Sequence, residues 1–588
     1  MSAKSVLDSM FRTNGSMSRT SGVEEFSKVK MNGANALIQS LVDQGVDMVF
    51  GIPGGVMIPI YDALYGRKDI TNMLMRHEQG AAHAADGYSR ATGRVGVCFA
   101  TSGPGATNLV TGLATAHMDS VAMLAVTGQV RTTALGKDSF QEADITGISM
   151  PITKHNYLVK DANDLPRVVA EALYIAATGR PGPVLIDVPM DVSLAEVDYQ
   201  PVKEVKMRGY SPHVDIDESA IDAAARMIDE SERPVLYVGG GVISSGASEE
   251  LTKLSEKTHI LVANTLLGKG AIDEYHPHSL GMLGMHGTAY ANHAVHECDL
   301  LIAVGARFDD RVTGKLAAFA RKAKVIHIDI DPAEIEKMVS VDVAIIGDCK
   351  EVLAKLVEKV KPRGETDWNR QIMQWKSEYA LQCPVDGDTV LPQCVIAKLS
   401  EFTKGEAIIV TDVGQNQMFS ALFYKVRKPR RWLSSGGLGT MGYGFPAAIG
   451  AQVGCPDMPV FVICGDGGFQ MTLQELAPAV EHKLPIKIVL LNNGYLGMVR
   501  QWQELFWNKR YSGVDISAQP DFVMLAEAYG AVGMRVTKAD EIDDAFAKAM
   551  EVNDRPTLID FHVSPEENVF PMIPAGQSIE EMMVNRPR

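Results

Sequence analysis

The sequence predicts an α/β protein of three tandem doubly wound parallel-sheet domains, and three observations carry that expectation. Short apolar runs rich in Val, Ile and Leu recur without the alternation of a half-exposed strand, as parallel strands buried on both faces require. Most of these runs end in a glycine-rich turn that opens a helical segment, the order of a βαβ crossover. Finally, 588 residues exceed what one hydrophobic core organises, and polar, proline-bearing stretches divide them into similar units. The layout read from these signals is a disordered tail over 1–28 and domains over 29–195, 217–360 and 388–566, with a C-terminal tail over 567–588.

In the first unit, Ala34 to Gln44 reads as an amphipathic helix and Asp47 to Gly51 as a strand ending in Pro53-Gly54-Gly55. Glu78 opens a helix so rich in Ala and Gly that it must pack closely. Strands follow at Val95–Thr101, leading into Ser102 to Asn108, and at Val121–Thr127. Phe140 to Asp144 is a loop entering a helix, and Val184 to Pro189 is a closing strand. The stretch 196–216 reads as a linker.

The second unit opens on the strand Pro234–Val238 and the triplet Gly239-Gly240-Gly241, which suits a diphosphate but is a weak signal alone. Leu300 to Ala306 is a strand leading into Arg307 to Gly314, and Val325 to Ile330 ends in carboxylates suited to ribose hydroxyls or to a plain helix start. After a helix and a polar linker near 361–366, the third unit offers the strand Ala407–Thr411 before Asp412 to Met418. The strand Val460–Cys464 then leads into Gly465-Asp466-Gly467-Gly468, a helical segment spans Leu473 to His482, and the strand Ile486–Leu491 ends at Asn492-Asn493.

Composition narrows the function classes. A net charge of −16 argues against nucleic acid, and no apolar stretch reaches the length of a membrane span. Seven scattered cysteines without a CxxC pair suggest neither a disulfide framework nor zinc, and read as reduced core residues of a cytoplasmic protein. Residues 1–28 could instead be an organellar transit peptide, although Asp8, Glu24 and Glu25 weigh against it.

Asp466 and Asn493 are placed at the carboxyl ends of parallel strands, where open α/β sheets bind ligands. A carboxylate, an amide oxygen and backbone carbonyls are the hard oxygen set that Mg²⁺ takes, and Gly465, Gly467 and Gly468 let N–H groups approach phosphate. Two ordinary Gly and Asn turns are the alternative. The stretch resembles the thiamine-diphosphate signature, GDG followed about two dozen residues on by NN, which implies Mg²⁺ on Asp466, Asn493 and the carbonyl of Tyr495.

Further marks make the resemblance more specific. Arg76-His77-Glu78-Gln79-Gly80, Phe140 to Asp144, Gly305 to Gly314, Leu496 to Gln503 and Val569 to Gly576 together resemble the acetolactate synthase (acetohydroxyacid synthase) catalytic-subunit family over about residues 30–582. The resemblance implies pyrimidine-binding, FAD-binding and diphosphate-binding domains in that order. It also implies thiamine diphosphate, Mg²⁺ and FAD as cofactors, and pyruvate and 2-oxobutyrate as substrates. Glu78 would bind the aminopyrimidine ring, with Gly54, Gln415, Gln417, Met418, Gly439, Met441, Gly465, Gly467 and Gly468 around the cofactor. Gly55, Gln141, Arg311 and Trp502 would act on substrate, Arg311 holding the acceptor carboxylate and Trp502 favouring the larger acceptor. FAD would be held by Arg180, Gly239, Gly240, Gly241, Met285, His286, Gly287, Arg307, Asp309, Val312, Asp329 and Asp348.

Each of these has a plainer reading: Glu78 as a helix-dipole partner, Gln141 as a surface amide, Arg311 paired with Asp309 or Asp310, and Trp502 as a core aromatic. Met190, Asn416 and Phe419-Ser420 depart from the family pattern. The resemblance further implies a homodimer or tetramer, since Glu78 and Asp466 would meet across two chains, and it leaves open a small regulatory subunit. Rival activities are those of other thiamine/flavin 2-oxo-acid enzymes, such as pyruvate oxidase or a decarboxylase, or of a catalytically silent homologue.

Overall fold

The computed structural model describes residues 29–384 and 387–585, so the expected tail or transit segment at 1–28 lies outside the described residues. Three six-stranded sheets dominate, and every strand pairing within them is parallel. None of the helices among the described residues is long and apolar enough to cross a membrane.

In the first domain the strands are β1 (Val29–Asn32), β2 (Met48–Gly51), β3 (Thr71–Leu74), β4 (Gly96–Ala100), β5 (Met123–Gln129), β6 (His155–Leu158), β7 (Pro183–Pro189) and β8 (Glu196–Tyr199). The central domain supplies β9 (Pro234–Val238), β10 (Leu261–Asn264), β11 (Ser279–Met282), β12 (Leu300–Val304), β13 (Lys324–Asp329) and β14 (Val343–Ile346). In the third are β15 (Ile408–Thr411), β16 (Trp432–Ser434), β17 (Val460–Gly465), β18 (Lys487–Asn492), β19 (Val532–Val536) and β20 (Thr557–His562).

The sheet orders are β3-β2-β4-β5-β7-β6, β11-β10-β9-β12-β13-β14 and β16-β15-β17-β18-β20-β19. In each, the chain winds outward one way and then returns to wind the other way. The reversal leaves a crevice at the strand carboxyl ends between β2 and β4, between β9 and β12, and between β15 and β17. Buried apolar strands cause this arrangement: β4, β5, β7, β9, β12 and β18 are buried at every residue, so helices must cover both faces.

Three expectations need correction. The stretch 196–216 is not linker throughout, because β8 pairs antiparallel with β1 and extends the first domain. The central domain runs past 360: Trp368 and Ile372 of the helix Asp367–Glu378 join its buried core. Nor are all the cysteines reduced, since Cys383 and Cys394 form a disulfide with Cα atoms 5.3 Å apart. Spacing could not reveal that bond, because it depends on how Cys383 comes to rest against the helix Pro392–Thr403 that carries Cys394.

One helix pair joins the first and third domains. A Cβ on Gly87 of the helix Glu78–Thr92 would stand 2.0 Å from the carbonyl of Ala447, and one on Gly450 of the helix Gly444–Gly454 would stand 1.8 Å from that of Ala84. The two backbones therefore touch, which only glycine permits. Beside them Arg90 bridges Asp86 at 2.6 Å and Asp119 at 2.8 Å, with both carboxylates buried, and Tyr443 donates to Asp86 at 2.7 Å. Between the central and third domains, the buried Lys269 bonds Glu274 at 2.8 Å and donates to the carbonyls of Ala421 and Tyr424.

Candidate active site

The first crevice gathers residues from three loops. His77 caps the helix Glu78–Thr92, so Glu78 sits in its first turn, where the helix dipole favours a carboxylate. Glu78 is buried, and its Oε2 accepts from Asn108 Nδ2 at 2.9 Å. Gly54 lies where a Cβ would come 2.4 Å from Thr101, and Gly105 where one would come 3.2 Å from Glu78 Oε1. Gln141, at φ +57°, rests its carbonyl against the Gly103 turn. The hydroxyls of Thr101 and Ser102 are buried without a hydrogen-bond partner. Gly55 opens onto free space. These loops bring two unpartnered hydroxyls and close-packed glycines beside one buried carboxylate.

The third crevice is anionic and amide-lined. Asp466 follows β17, is 1% exposed, and accepts from Gly494 N at 2.9 Å through Oδ2. Burial raises its carboxyl to about 7, above the usual carboxylate range, so a cation placed there would compensate a charge the protein itself solvates poorly. Asn493 Oδ1 accepts from Tyr495 N at 2.9 Å. No group of three His, Cys, Asp or Glu gathers as a metal nest among the described residues, so a metal here would rest on Asp466, the Asn493 amide oxygen and carbonyls. That donor set fits Mg²⁺.

A Cβ on Gly465 would stand 3.1 Å from Asn416 Nδ2, and one on Gly467 would meet Leu496 at 2.8 Å and Met441 at 3.6 Å. Gly439 takes φ +70°. Gly468 has a different cause: its missing Cβ would fall 2.1 Å from Asp412 Oδ1. Asp412 is buried and accepts from the backbone of Val413, Gly442 and Gly444, tying two loops together. Gln417 donates to Ser434 Oγ and the Ser435 carbonyl, and Met418 packs against the third domain's core. Thus Gln417 braces the loop with its own amide. Met190, one of the departures from the family pattern, opens a short helix directly after β7.

In the central crevice Gly239 and Gly241 let two loops close: their Cβ atoms would fall 2.3 Å from the Gly305 carbonyl and 2.6 Å from Gly305 Cα. Gly240 is looser, with its nearest neighbour 3.5 Å away. Gly287 packs against the Leu283 backbone. Arg307 pairs with Asp309 at 2.8 Å, and Val312 N bonds the Asp309 carbonyl at 3.0 Å. Asp329 ends β13 with its carboxyl raised to about 6 by burial, and Asp348 caps the helix Cys349–Lys359. Arg180 crosses from the first domain to Asp331 at 3.1 Å and Glu334 at 2.7 Å. His286 is 6% exposed, neither ring nitrogen reaches a partner at full hydrogen-bond geometry, and burial holds its imidazole down at about 4 against the opposing pull of the nearby Pro571 backbone. A buried carboxylate at a strand end, close-packed glycines and an unsatisfied imidazole fit a dinucleotide.

Arg311 and Trp502, 191 positions apart in the chain, come together. The guanidinium lies 6.0 Å from the indole centroid and 3.9 Å from Asp310, and it is half exposed. The C-terminal tail adjoins them: Ile573 N donates to the Met285 carbonyl at 2.8 Å, and Met285 N to that of Arg311 at 2.7 Å. Glu78 and Asp466 share no hydrogen-bond partner among the described residues.

Sequence reasoning passed over Asn108, Asp412, Glu475 and Gln501. Glu475 is fully buried, accepts from Arg76 N at 3.1 Å and His77 N at 3.0 Å, and sits against Gly80 at the start of the Glu78 helix. Burial raises its carboxyl to about 7, against the pull of those N–H groups. A carboxylate within a helical stretch gives no signal of such a reach.

Comparison with known proteins bears on the same three units. Residues 31–148 match the N-terminal TPP binding domain of thiamine pyrophosphate enzymes, 221–356 their central domain, and 412–561 their C-terminal TPP binding domain. The chain is 52% identical over 559 residues to the acetolactate synthase large subunit of Corynebacterium glutamicum, covering 93% of this chain and 89% of that one. It is 49% identical to an acetolactate synthase of Mycobacterium bovis, covering 95% and 92%, and 50% identical to the large subunit of Porphyra purpurea, covering 94% and 95%. With three domain matches in order and relatives at about half identity over nearly the whole chain, this protein belongs to the acetolactate synthase large-subunit family of thiamine pyrophosphate enzymes.

Proposed function

We infer that this chain catalyses acetolactate synthesis. Pyruvate is decarboxylated, and its remaining two-carbon unit is joined to a second pyruvate, giving acetolactate, or to 2-oxobutyrate, giving acetohydroxybutyrate. This is the first common step of valine, leucine and isoleucine biosynthesis. The observation that carries the ligation step is Arg311 standing over Trp502 at 6.0 Å, which provides a half-exposed cation for an acceptor carboxylate beside an apolar wall. A charge-assisted contact of that kind contributes roughly 1.5–3 kcal/mol.

Thiamine diphosphate would supply the carbon nucleophile and electron sink that 2-oxo-acid decarboxylation and ligation require. Glu78, buried at a helix start, holds a ring nitrogen of the cofactor and tunes the basicity of the neighbouring amino group. Asp466, Asn493 and the Tyr495 carbonyl would hold Mg²⁺, which would neutralise the cofactor's diphosphate, and Gly465 and Gly467 would give that group backbone access. His286, Asp329 and the glycines at 239–241 would hold FAD in the central crevice.

The family resemblance supports a homodimer or tetramer in which Glu78 of one chain and Asp466 of its partner complete a shared cofactor site. A tetramer and a small regulatory subunit are compatible additions, and a cytoplasmic location suits the substrates. The test is product identification with pyruvate, thiamine diphosphate, Mg²⁺ and FAD. Acetolactate is expected, with acetohydroxybutyrate when 2-oxobutyrate is added. Release of acetaldehyde alone would sink this reading in favour of a simple decarboxylase.

A further inference from the structure

A line of side-chain amides runs from Asn493 to the C-terminal tail, and its polarity is fixed at the tail end. Val569 donates its backbone N–H to Gln501 Oε1 at 2.8 Å. A backbone N–H only donates, so that atom of Gln501 is the oxygen. The same Oε1 accepts Gln415 Nε2 at 2.9 Å, and Gln415 Nε2 also donates to the Glu567 carbonyl at 2.9 Å. Gln415 must therefore turn its own oxygen toward Asn493 Nδ2, 3.4 Å away. That contact leaves Asn493 Oδ1 on the other side of its amide, against Tyr495 N.

Gln501 is fully buried, and its Nε2 returns to the tail at the Val569 carbonyl, 3.3 Å, and Met572 Sδ, 3.4 Å. Water cannot replace what this side chain supplies, so each lost contact leaves a buried polar group unsatisfied. The packing is close as well. A Cβ on Gly497, which opens the helix Gly497–Phe506 bearing Gln501 and Trp502, would fall 2.2 Å from Gln415 Oε1 and 2.8 Å from Asn493 Nδ2. Beyond Met572 the tail continues to the Arg311 loop through Ile573 N on Met285 and Lys315 N on Gln577.

We propose that Gln501 is a positioning residue that serves both ends of the reaction at once. Through Gln415 it fixes which face of the Asn493 amide meets the metal, and through Val569 it latches the tail against the loop that carries Arg311. The proposal rests on the reading of Asn493 as a metal ligand and of the reaction as a ligation. A latched tail keeps water from protonating the two-carbon unit before the acceptor arrives.

The test compares full-length wild type, Gln501→Ala, Gln501→Glu and Gln415→Ala. Hydrogen exchange of residues 567–573 without cofactors should speed up at least tenfold in Gln501→Ala, with melting of the remainder little changed. Mg²⁺ affinity in the presence of thiamine diphosphate should fall at least tenfold in Gln501→Ala and Gln415→Ala, and the acetaldehyde-to-acetolactate ratio should rise in Gln501→Ala. Gln501→Glu keeps the acceptor for Val569 N and Gln415 but sets an oxygen against the Val569 carbonyl, so an intermediate effect is expected. This variant carries the test if the alanine variant does not fold. Wild-type tail exchange with a wild-type product ratio overturns the latch, and wild-type Mg²⁺ affinity in Gln415→Ala overturns the link to Asn493. If the wild type itself makes no acetolactate, the functional reading fails, while the exchange measurement still judges the latch.

Discussion

The first and third domains have the same strand order and the same crevice, but fill it in opposite ways. After β2, β3 and β4 the first domain places small residues, the Glu78 carboxylate at a helix start and unpartnered hydroxyls. After β15 and β17 the third places a carboxylate that burial keeps near neutral pH, held among amides and glycines. The architecture thus fixes where chemistry happens, and a few loop residues fix its polarity. One end suits an uncharged ring with a nitrogen to be tuned, the other a metal and an anion.

Exchanging carboxylate for amide at each end breaks this contrast in different ways. Glu78→Gln should reduce acetolactate formation by about 10²–10⁴-fold, the usual range for losing an acid–base group, while Mg²⁺-dependent cofactor binding measured by titration stays within a few fold. Asp466→Asn should act on the opposite quantity: Mg²⁺ affinity weakens by more than the roughly 10–100-fold typical of losing a group behind a ligand, because Asp466 would be a ligand itself, and part of the lost turnover returns at high Mg²⁺. Equal loss of cofactor binding in both variants would dissolve the distinction.

A smaller effect sharpens it. Glu475 reaches from the third domain to the backbone before Glu78, and its carboxyl lies near 7 rather than in the ordinary range. A folded-state value above the unfolded one means the native protein holds a proton that the unfolded chain releases between about 4.5 and 7. Stability from this group therefore falls as pH rises through that window. Glu475→Gln should flatten that fall, by roughly 2–3 kcal/mol between pH 5 and 8 in denaturant titrations, and an unchanged slope would count against it.

Fold class and strand positions were legible because buried parallel strands leave long apolar runs, and because glycine turns mark their carboxyl ends. The positions of Asp466, Asn493 and Glu78 just beyond β17, β18 and β3 were legible because motif spacing places them after apolar runs. The reach of Glu475 and the contacts of Gln501 were not, because they join segments far apart in the chain, and the pairing of Cys383 with Cys394 was not, because eleven residues of spacing do not fix how the two thiols meet. Gly468 shows how a residue can be singled out for one reason and required for another: phosphate access suggested it, and Asp412 occupies the space its side chain would need.

The glycine contact between the helices Glu78–Thr92 and Gly444–Gly454 has a kinematic consequence. Two backbones in direct contact, flanked by the buried Arg90 charges, leave no side-chain layer that could shear, so within one chain the two crevices move as one rigid frame. The C-terminal tail, by contrast, is held to its neighbours by separate hydrogen bonds from Val569 and Ile573, which can open one at a time without moving that frame.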